Sequence, residues 1–355
     1  MALFFTVFAF VQVLAGYICA KGIYFITKMN WLGAIVVLLS VSIPFSVFAM
    51  HNALKCKWLL DLICYTGYIY LGFILYFSLF CILTFIAYKI NSDINLQKTL
   101  LFELIAVILI LIAGYINAIN PRLRKITIPA TSNLRICFVS DIHVGSINTK
   151  NILDKVCKYI KQANPDIVVL GGDTIDIKGI TDYSDDFLKI ARQITSKYKT
   201  YAVIGNHELY TGAQDCINLL KKSGISVLLD NCIDIGEYSI VGRLDKNILS
   251  RKNLQEIIST NNVNKKHMII VDHAPDFIYE SVQNGAFLHL SGHTHGGQMF
   301  PINFITNFIY EQTGKLGKIN DTYFYITYGA GFWGPPYRVG SSPEVVLIEL
   351  KKEEK

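Results

Sequence analysis

Four long apolar stretches crowd the first third of this chain, and they constrain its folding more than any other feature. Residues 2–20, 31–50, 65–88 and 99–118 are nearly free of charge. Each is close to the roughly 20 apolar residues a helix needs to cross about 30 Å of hydrocarbon. The third run can start as early as Trp58, which makes it long or tilted. The first 120 residues hold nine charged side chains, whereas the rest of the chain is charged like an ordinary soluble domain. That split explains why only 17% of the whole chain is charged, against roughly 25% in soluble proteins. It excludes a plain cytosolic enzyme, a disordered chain and a small disulfide scaffold.

The first apolar run has no Lys or Arg before Lys21 and is full length, so it reads as a retained helix rather than a signal peptide. Four crossings put Lys55, Lys57, Arg122, Arg124 and Lys125 on one side, and Lys21, Lys28, Lys89 and Lys98 on the other. Three of the first five come directly after the last apolar run. The positive-inside rule therefore favours a multi-pass protein of the cell membrane with the second half of the chain in the cytoplasm. The net charge of +6 lacks a Lys/Arg block or a basic stripe with interleaved aromatics, so no nucleic-acid partner is expected. The cysteine spacings show neither a CxxC metal pattern nor a disulfide framework.

After Pro121 the texture changes to short β-rich runs alternating with helical patterns, which implies a layered α/β domain. Strands are expected at 134–140, 166–170, 200–204, 226–229, 238–241, 268–271, 286–290, 323–327 and 345–350, and helices at 151–162 and 186–197. The turns at the strand ends carry the chemistry. The run from 134 ends in Asp141-Ile142-His143, that from 166 in Gly171-Gly172-Asp173, and that from 200 in Gly205-Asn206-His207-Glu208. The run from 268 ends in Asp272-His273, and that from 286 in Ser291-Gly292-His293-Thr294-His295-Gly296-Gly297. In open α/β sheets, ligands bind beyond the carboxyl ends of strands. Five of the eight histidines fall in these turns.

Asp141, His143, Asp173, Asn206, His273, His293 and His295 offer enough oxygen and nitrogen for two divalent metal ions if one carboxylate bridges. Mixed imidazole and carboxylate donors suit Mn, Fe or Zn rather than Ca or a thiolate-bound metal. Two such ions a few Å apart can clamp a phosphoryl group, activate water at neutral pH and stabilise a leaving oxygen.

The ordered set DxH, GGD, GNHE, a later isolated His and GHTH resembles the calcineurin-like metallophosphoesterase superfamily, over about residues 134–350. The resemblance implies a four-layer αββα metallophosphoesterase sandwich at 134–355. It would be preceded by an all-α four-helix transmembrane region at 1–120 and a linker at 121–133. It also implies one ion held by Asp141, His143, Asp173 and His295, and a second by Asp173, Asn206, His273 and His293, with Mn the first choice. His207 would ligate neither ion and act on the phosphate as a catalytic residue. A non-ligating imidazole beside two cations is independently well placed for general-acid work. Glu208 is expected either to orient His207 or to sit solvated at a helix start.

The tail, with Gly329-Ala330-Gly331, Pro335-Pro336-Tyr337-Arg338 and Pro343-Glu344, resembles a bacterial branch of membrane-attached phosphodiesterases. Some members of that branch act on nucleotide-linked lipid precursors. The resemblance favours hydrolysis of a diester or pyrophosphate, lipid-linked substrates included, beside a lipid bilayer. Arg338 would contact the substrate phosphate or form a structural ion pair. Two other readings remain open at this level: a nucleotide phosphodiesterase or nuclease, and a transporter or sensor whose soluble half only binds metal. Finally, residues 299–310, just after the last ligand turn, hold eight apolar or aromatic residues and no charge. They are expected either to pack as core under the sheet or to form an apolar lip against a membrane.

Overall fold

The apolar first third folds into the helices α1 (Ala2–Thr27), α2 (Asn30–Met50), α3 (Lys57–Ile90) and α4 (Leu96–Ala118). The computed structural model describes residues 2–50, 57–145, 150–176, 184–261, 263, 267–310 and 312–353. Lys55, one of the charges that orient the chain, lies outside the described residues. Ala9–Thr27, Tyr65–Ile90 and Leu96–Ala118 are long and apolar enough to cross a membrane, while the described apolar part of α2, Asn30–Ser40, is shorter. Here α1 packs against α2 and α3, with Cys19, Ile74, Phe77, Cys81 and Leu100 buried. Glu103, the acidic residue of α4, accepts a bond from Thr84 of α3. Gly334–Tyr337 cluster with residues 1–116 in this compact unit.

The second unit comprises Asn117–Trp333 and Arg338–Lys355. Its elements are β1 (Arg122–Ala130), β2 (Leu134–Val139), α5 (Lys150–Ala163), β3 (Ile167–Gly171), α6 (Ser184–Thr195) and β4 (Lys199–Val203). Next come α7 (Asn206–Thr211), α8 (Ala213–Lys222), β5 (Ser226–Val227), β6 (Asn231–Ile235), β7 (Tyr238–Gly242), α9 (Leu254–Asn261) and β8 (Met268–Val271). The chain ends with α10 (Ile278–Gln283), β9 (Leu288–Ser291), α11 (Ile302–Ile309), β10 (Leu316–Ile319), β11 (Thr322–Ile326) and β12 (Glu344–Lys352). Two six-stranded sheets result, ordered β1-β12-β2-β3-β4-β5 and β10-β11-β9-β8-β7-β6.

The strands are apolar nearly throughout because both faces of each sheet are covered. Side chains alternate with period two, so Ile136, Phe138, Ile167 and Val169 of the first sheet share one cluster with Ile240, Ile269, Val271 and Leu290 of the second. Their neighbours Cys137, Val139, Val168 and Leu170 point to the other face and meet Val156, Ile160 and Ile190 of α5 and α6. On the far side of the second sheet, Val241, Met268 and Ile270 pack on Leu254, Ile257 and Ile258 of α9. The strands β2 to β5 run parallel, as do β7, β8, β9 and β11. Their carboxyl ends therefore open at a common edge of each sheet.

One expectation needs correction. The stretch 121–133, read as a linker, is mostly strand: β1 pairs in parallel register with β12 from Arg122 to Ala130. The charges of Arg122, Arg124 and Lys125 masked it, since β1 is an edge strand with one covered face and Ile128 alone fully buried along it. Charged side chains on an exposed edge also discourage pairing with other chains.

Candidate metal centre

Every sequence-selected residue sits just past a strand. Asp141 and His143 come after β2, Asp173 after β3, and Asn206 and His207 open α7 after β4. His273 comes after β8, and His293 and His295 after β9. The loops after β2 and β3 run side by side, with the Asp141 N–H donating to the Gly172 carbonyl (3.0 Å) and the His143 N–H to the Asp173 carbonyl (3.0 Å). Five of these residues, Asp141, His143, Asp173, His293 and His295, have positive φ between 49° and 71°. Non-glycine residues rarely adopt that region, which costs about 1–3 kcal/mol each, and such strain gathers at functional sites. The glycines of the motifs admit this crowding. A Cβ at Gly205 would run into Asp173 Oδ1, and one at Gly292 into Asp141 Oδ2.

Donor atoms within 4.8 Å of one another form three overlapping groups: Asp141, His143 and His295; His143, Asp173 and His207; and Asp173, His273 and His293. His143 Nε2 and His295 Nε2 face each other at 3.0 Å. His273 Nδ1 donates to the Gly171 carbonyl (2.9 Å), which leaves Nε2 facing Asp173 Oδ2 at 3.0 Å as the ring atom open to a cation. Asn206 Oδ1, beside these rings, is buried without a hydrogen-bond partner. An orphaned buried polar atom costs about 1–3 kcal/mol, and a cation beside it removes that cost. The donor set therefore fits divalent ions.

Electrostatics point the same way. Burial alone would raise the Asp173 carboxyl, yet His273, with help from His143 and His207, holds it well below the carboxylate range. Burial would likewise lower His273, but the Asp173 charge lifts it to about 10. The pocket thus attracts positive charge. His295 is held well below its ordinary value, first by burial and then by the nearby Arg338 charge, which keeps the ring in the neutral form that binds metal.

Several side chains have roles that sequence reading missed or misjudged. Asp176 was not singled out, yet its Oδ1 lies 2.9 Å from His207 Nδ1 and its Oδ2 3.4 Å from His143 Nδ1. Its signal was a second acid three residues after Asp173 in the same turn. Burial and then the Asp176 hydrogen bond act on His207 in opposite senses, and the net effect raises it. Trp333 and Tyr210 stand edge-on to the His207 ring at 5.6 and 5.5 Å.

Glu208 neither orients His207 nor meets solvent. It is fully buried and accepts the backbone N–H groups of Asp173 (2.9 Å), Thr174 (2.6 Å), Ile175 (2.9 Å) and Gly205 (2.8 Å). Burial, then the Asp173 charge, push its carboxyl up to about 7. Arg338 forms no ion pair among the described residues. Buried, it donates to the His295 carbonyl (2.6 Å) and lies 2.8 Å from His295 Nδ1, and it also donates to the carbonyls of Tyr328 (2.8 Å) and Gly331.

This site and fold define a metal-dependent phosphoesterase. The profile of the calcineurin-like phosphoesterase family matches residues 134–297. An uncharacterized metallophosphoesterase of Campylobacter jejuni is 32% identical over 281 residues, 74% of this chain and 73% of that protein. One from Aquifex aeolicus is 30% identical over 65% of this chain and 92% of that protein. A zebrafish (Danio rerio) transmembrane protein with metallophosphoesterase domain is 26% identical over 73% of this chain and 64% of that protein. The chain belongs to the calcineurin-like metallophosphoesterase family, hydrolases that act on phosphoester bonds with divalent metals. Among solved structures it resembles a 5'-nucleotidase precursor of Thermus thermophilus, at 14% identity and a TM-score of 0.36 over 61% of this chain. It spans only 55% of that nucleotidase's length.

Proposed function

We propose that this chain is a membrane-anchored, binuclear-metal phosphoesterase that hydrolyses a phosphodiester or pyrophosphate, lipid-linked esters included. Four transmembrane helices within residues 1–120 anchor a cytoplasm-facing four-layer αββα domain. The observation that carries the reading is the pair of donor groups, Asp141–His143–His295 and Asp173–His273–His293, joined through the reach of Asp173 to His143. One ion would be held by Asp141, His143, Asp173 and His295, and the other by Asp173, Asn206, His273 and His293. Mn is the favoured metal, with Fe or Zn also suited to these donors. When bound, two such ions supply charge stabilisation on the phosphoryl group and activation of the attacking water.

The chain's own residues then do the rest. Asp176 fixes His207 through Nδ1, which leaves Nε2 as the ring atom that delivers a proton to the departing oxygen. Glu208 clamps the Asp173 turn through four backbone donors, and Arg338 holds His295. Trp333 and Tyr210 stand beside His207 and restrict how a substrate approaches it.

The test is a turnover screen on the purified full chain, stripped with chelator and reloaded with Mn. It covers soluble aryl diesters, nucleotides and lipid-linked pyrophosphates, with metal content measured in parallel. Two equivalents bound with metal-dependent turnover is the expected result. Metal bound without turnover on any of them would favour a sensor.

A further inference from the structure

The segment 299–310 resolves into an unusual helix. Along α11, the side chains turned toward the domain are Asn303 and Thr306, while Ile302, Phe304, Ile305, Phe308 and Ile309 face outward. Phe304 is 63% exposed, Ile305 60%, Ile309 61% and Phe308 88%. Thr306 bonds back to the Ile302 carbonyl, and Asn303 lies directly over Gly297. The ordinary arrangement of a surface helix, apolar inside and polar outside, is therefore reversed. No residue of α11 is buried, so the core expectation for this helix is wrong. Met299, just before it, packs inside, and Tyr310, just after it, packs in part against Ile278, Phe324 and Ile326. Phe300, also half exposed, stacks edge-on with Phe304 at 5.5 Å and widens the patch.

Contiguous exposed apolar surface of this kind marks an interaction site. Four observations bear on what covers it. The helix carries no charge over its eight residues, so an aqueous partner would gain nothing by ion pairing there. The same chain carries helices long and apolar enough to cross a bilayer. Only three residues separate the end of α4 at Ala118 from the start of β1 at Arg122, so a bilayer holding α4 lies within a short tether of this domain. The chain leaving the helix also exposes Lys315 and Lys318, cations suited to anionic headgroups.

We infer that α11 is an interfacial helix that seats its outward apolar face in the lipid bilayer beside the metal centre. It packs against the turn His295–Gly297, so seating it brings the mouth of the site to the membrane surface, where amphipathic phosphate esters reside. The inference rests on the membrane-anchored reading of the proposed function.

The experiment uses the full chain in proteoliposomes, with and without lipids brominated on the acyl chains. In a full chain whose native Trp31, Trp58 and Trp333 are replaced by Phe, Phe308→Trp adds a reporter on the helix, and Lys189→Trp adds one on the exposed face of α6. Proteoliposome flotation reports anchoring separately. The expected result is flotation, with roughly two-fold quenching of the Phe308→Trp emission, as for a ring some 5–10 Å below the headgroup boundary, and none for Lys189→Trp. Flotation with an unquenched Phe308→Trp would overturn the inference and leave anchoring intact. A signal shielded instead in a concentration-dependent way would assign the face to a second copy of the chain. Failure to float would sink both readings, and equal quenching at the two positions would also overturn this one.

Turnover supplies the second arm. Phe304→Ser with Phe308→Ser should lower hydrolysis of a lipid-linked pyrophosphate in liposomes by about ten-fold, the scale of burying two fewer rings in the interface, and spare a soluble aryl diester. Equal losses on both, with a lower melting temperature, would overturn the inference, as would no loss on either. A wild-type chain that turns over neither substrate would refute the hydrolase reading, while the quenching would still report the helix.

Discussion

At the scale of single residues, the centre separates side chains that hold charge from those that hold shape. Asp173→Asn removes the carboxylate that both donor groups reach. It should cut metal content and turnover together, by at least about 10²-fold in activity, since even outer partners of a metal site are worth 10–100-fold. Elemental analysis and initial rates check this. His207→Ala should keep both metal equivalents and lose about 10²-fold or more in the chemical step. Loss of a metal equivalent would instead make His207 a ligand. Asp176→Asn should lower kcat about ten-fold with KM and metal content unchanged, and Asp176→Glu should recover part of that loss. A purely structural Asp176 would lower the melting temperature without separating kcat from KM. Glu208→Ala leaves the N–H groups of Asp173, Thr174, Ile175 and Gly205 without their acceptor. The expected destabilisation is about 3 kcal/mol, the scale of hydrogen bonds to a buried charged group, measurable by denaturant titration of the apo protein. These supporting residues were hard to read in advance because nothing local distinguishes Glu208 from a solvated helix-start carboxylate. Its four donors come from two different turns that only the fold brings together.

Elements show the same division. The strands after which the ligands fall were legible because parallel strands buried on both faces must be apolar over their whole length, and a polar cluster after such a run is conspicuous. β1 was not legible. Its one covered face buries Ile128 while Thr127 and Lys125 stay exposed, a pattern easily taken for a charged linker. Ile128→Ala should destabilise the domain by about 3 kcal/mol, within the usual cost of deleting a buried isoleucine side chain. Thr127→Ala should be near neutral, and thermal melts of the two variants distinguish a strand from a linker. α11 is the opposite case, where composition suggested an apolar segment but could not say which way its stripe points. That direction comes from the contact of Asn303 with the Gly297 turn, which composition does not contain.

For the whole molecule, the testable expectation is orientation. A cysteine introduced at the exposed position of Lys189 should resist a membrane-impermeant thiol reagent in intact cells and react after lysis, if the catalytic domain faces the cytoplasm. Among the cysteines described in the second unit, Cys137, Cys157 and Cys216 are buried, and the half-buried Cys232 is replaced by Ser to remove its background. Labelling without lysis would put the domain on the outer face.

By itself, the sequence determined that an apolar, helix-forming third precedes an α/β metallophosphoesterase half, and in what order the Asp, His and Asn turns succeed the strands. These properties are local: apolar run length, period-two burial and the chemistry of a few adjacent side chains are written in contiguous residues. Tertiary structure decided what depends on distant partners. It placed five potential ligands in left-handed backbone, set Asp176 against His207, turned Arg338 toward His295 rather than an acid, and paired β1 with the last strand of the chain. It also turned the apolar face of α11 outward. Apart from the short-range contact of Asn303 with Gly297, these outcomes are set by contacts across tens or hundreds of residues, and no window of sequence holds both sides of such a contact.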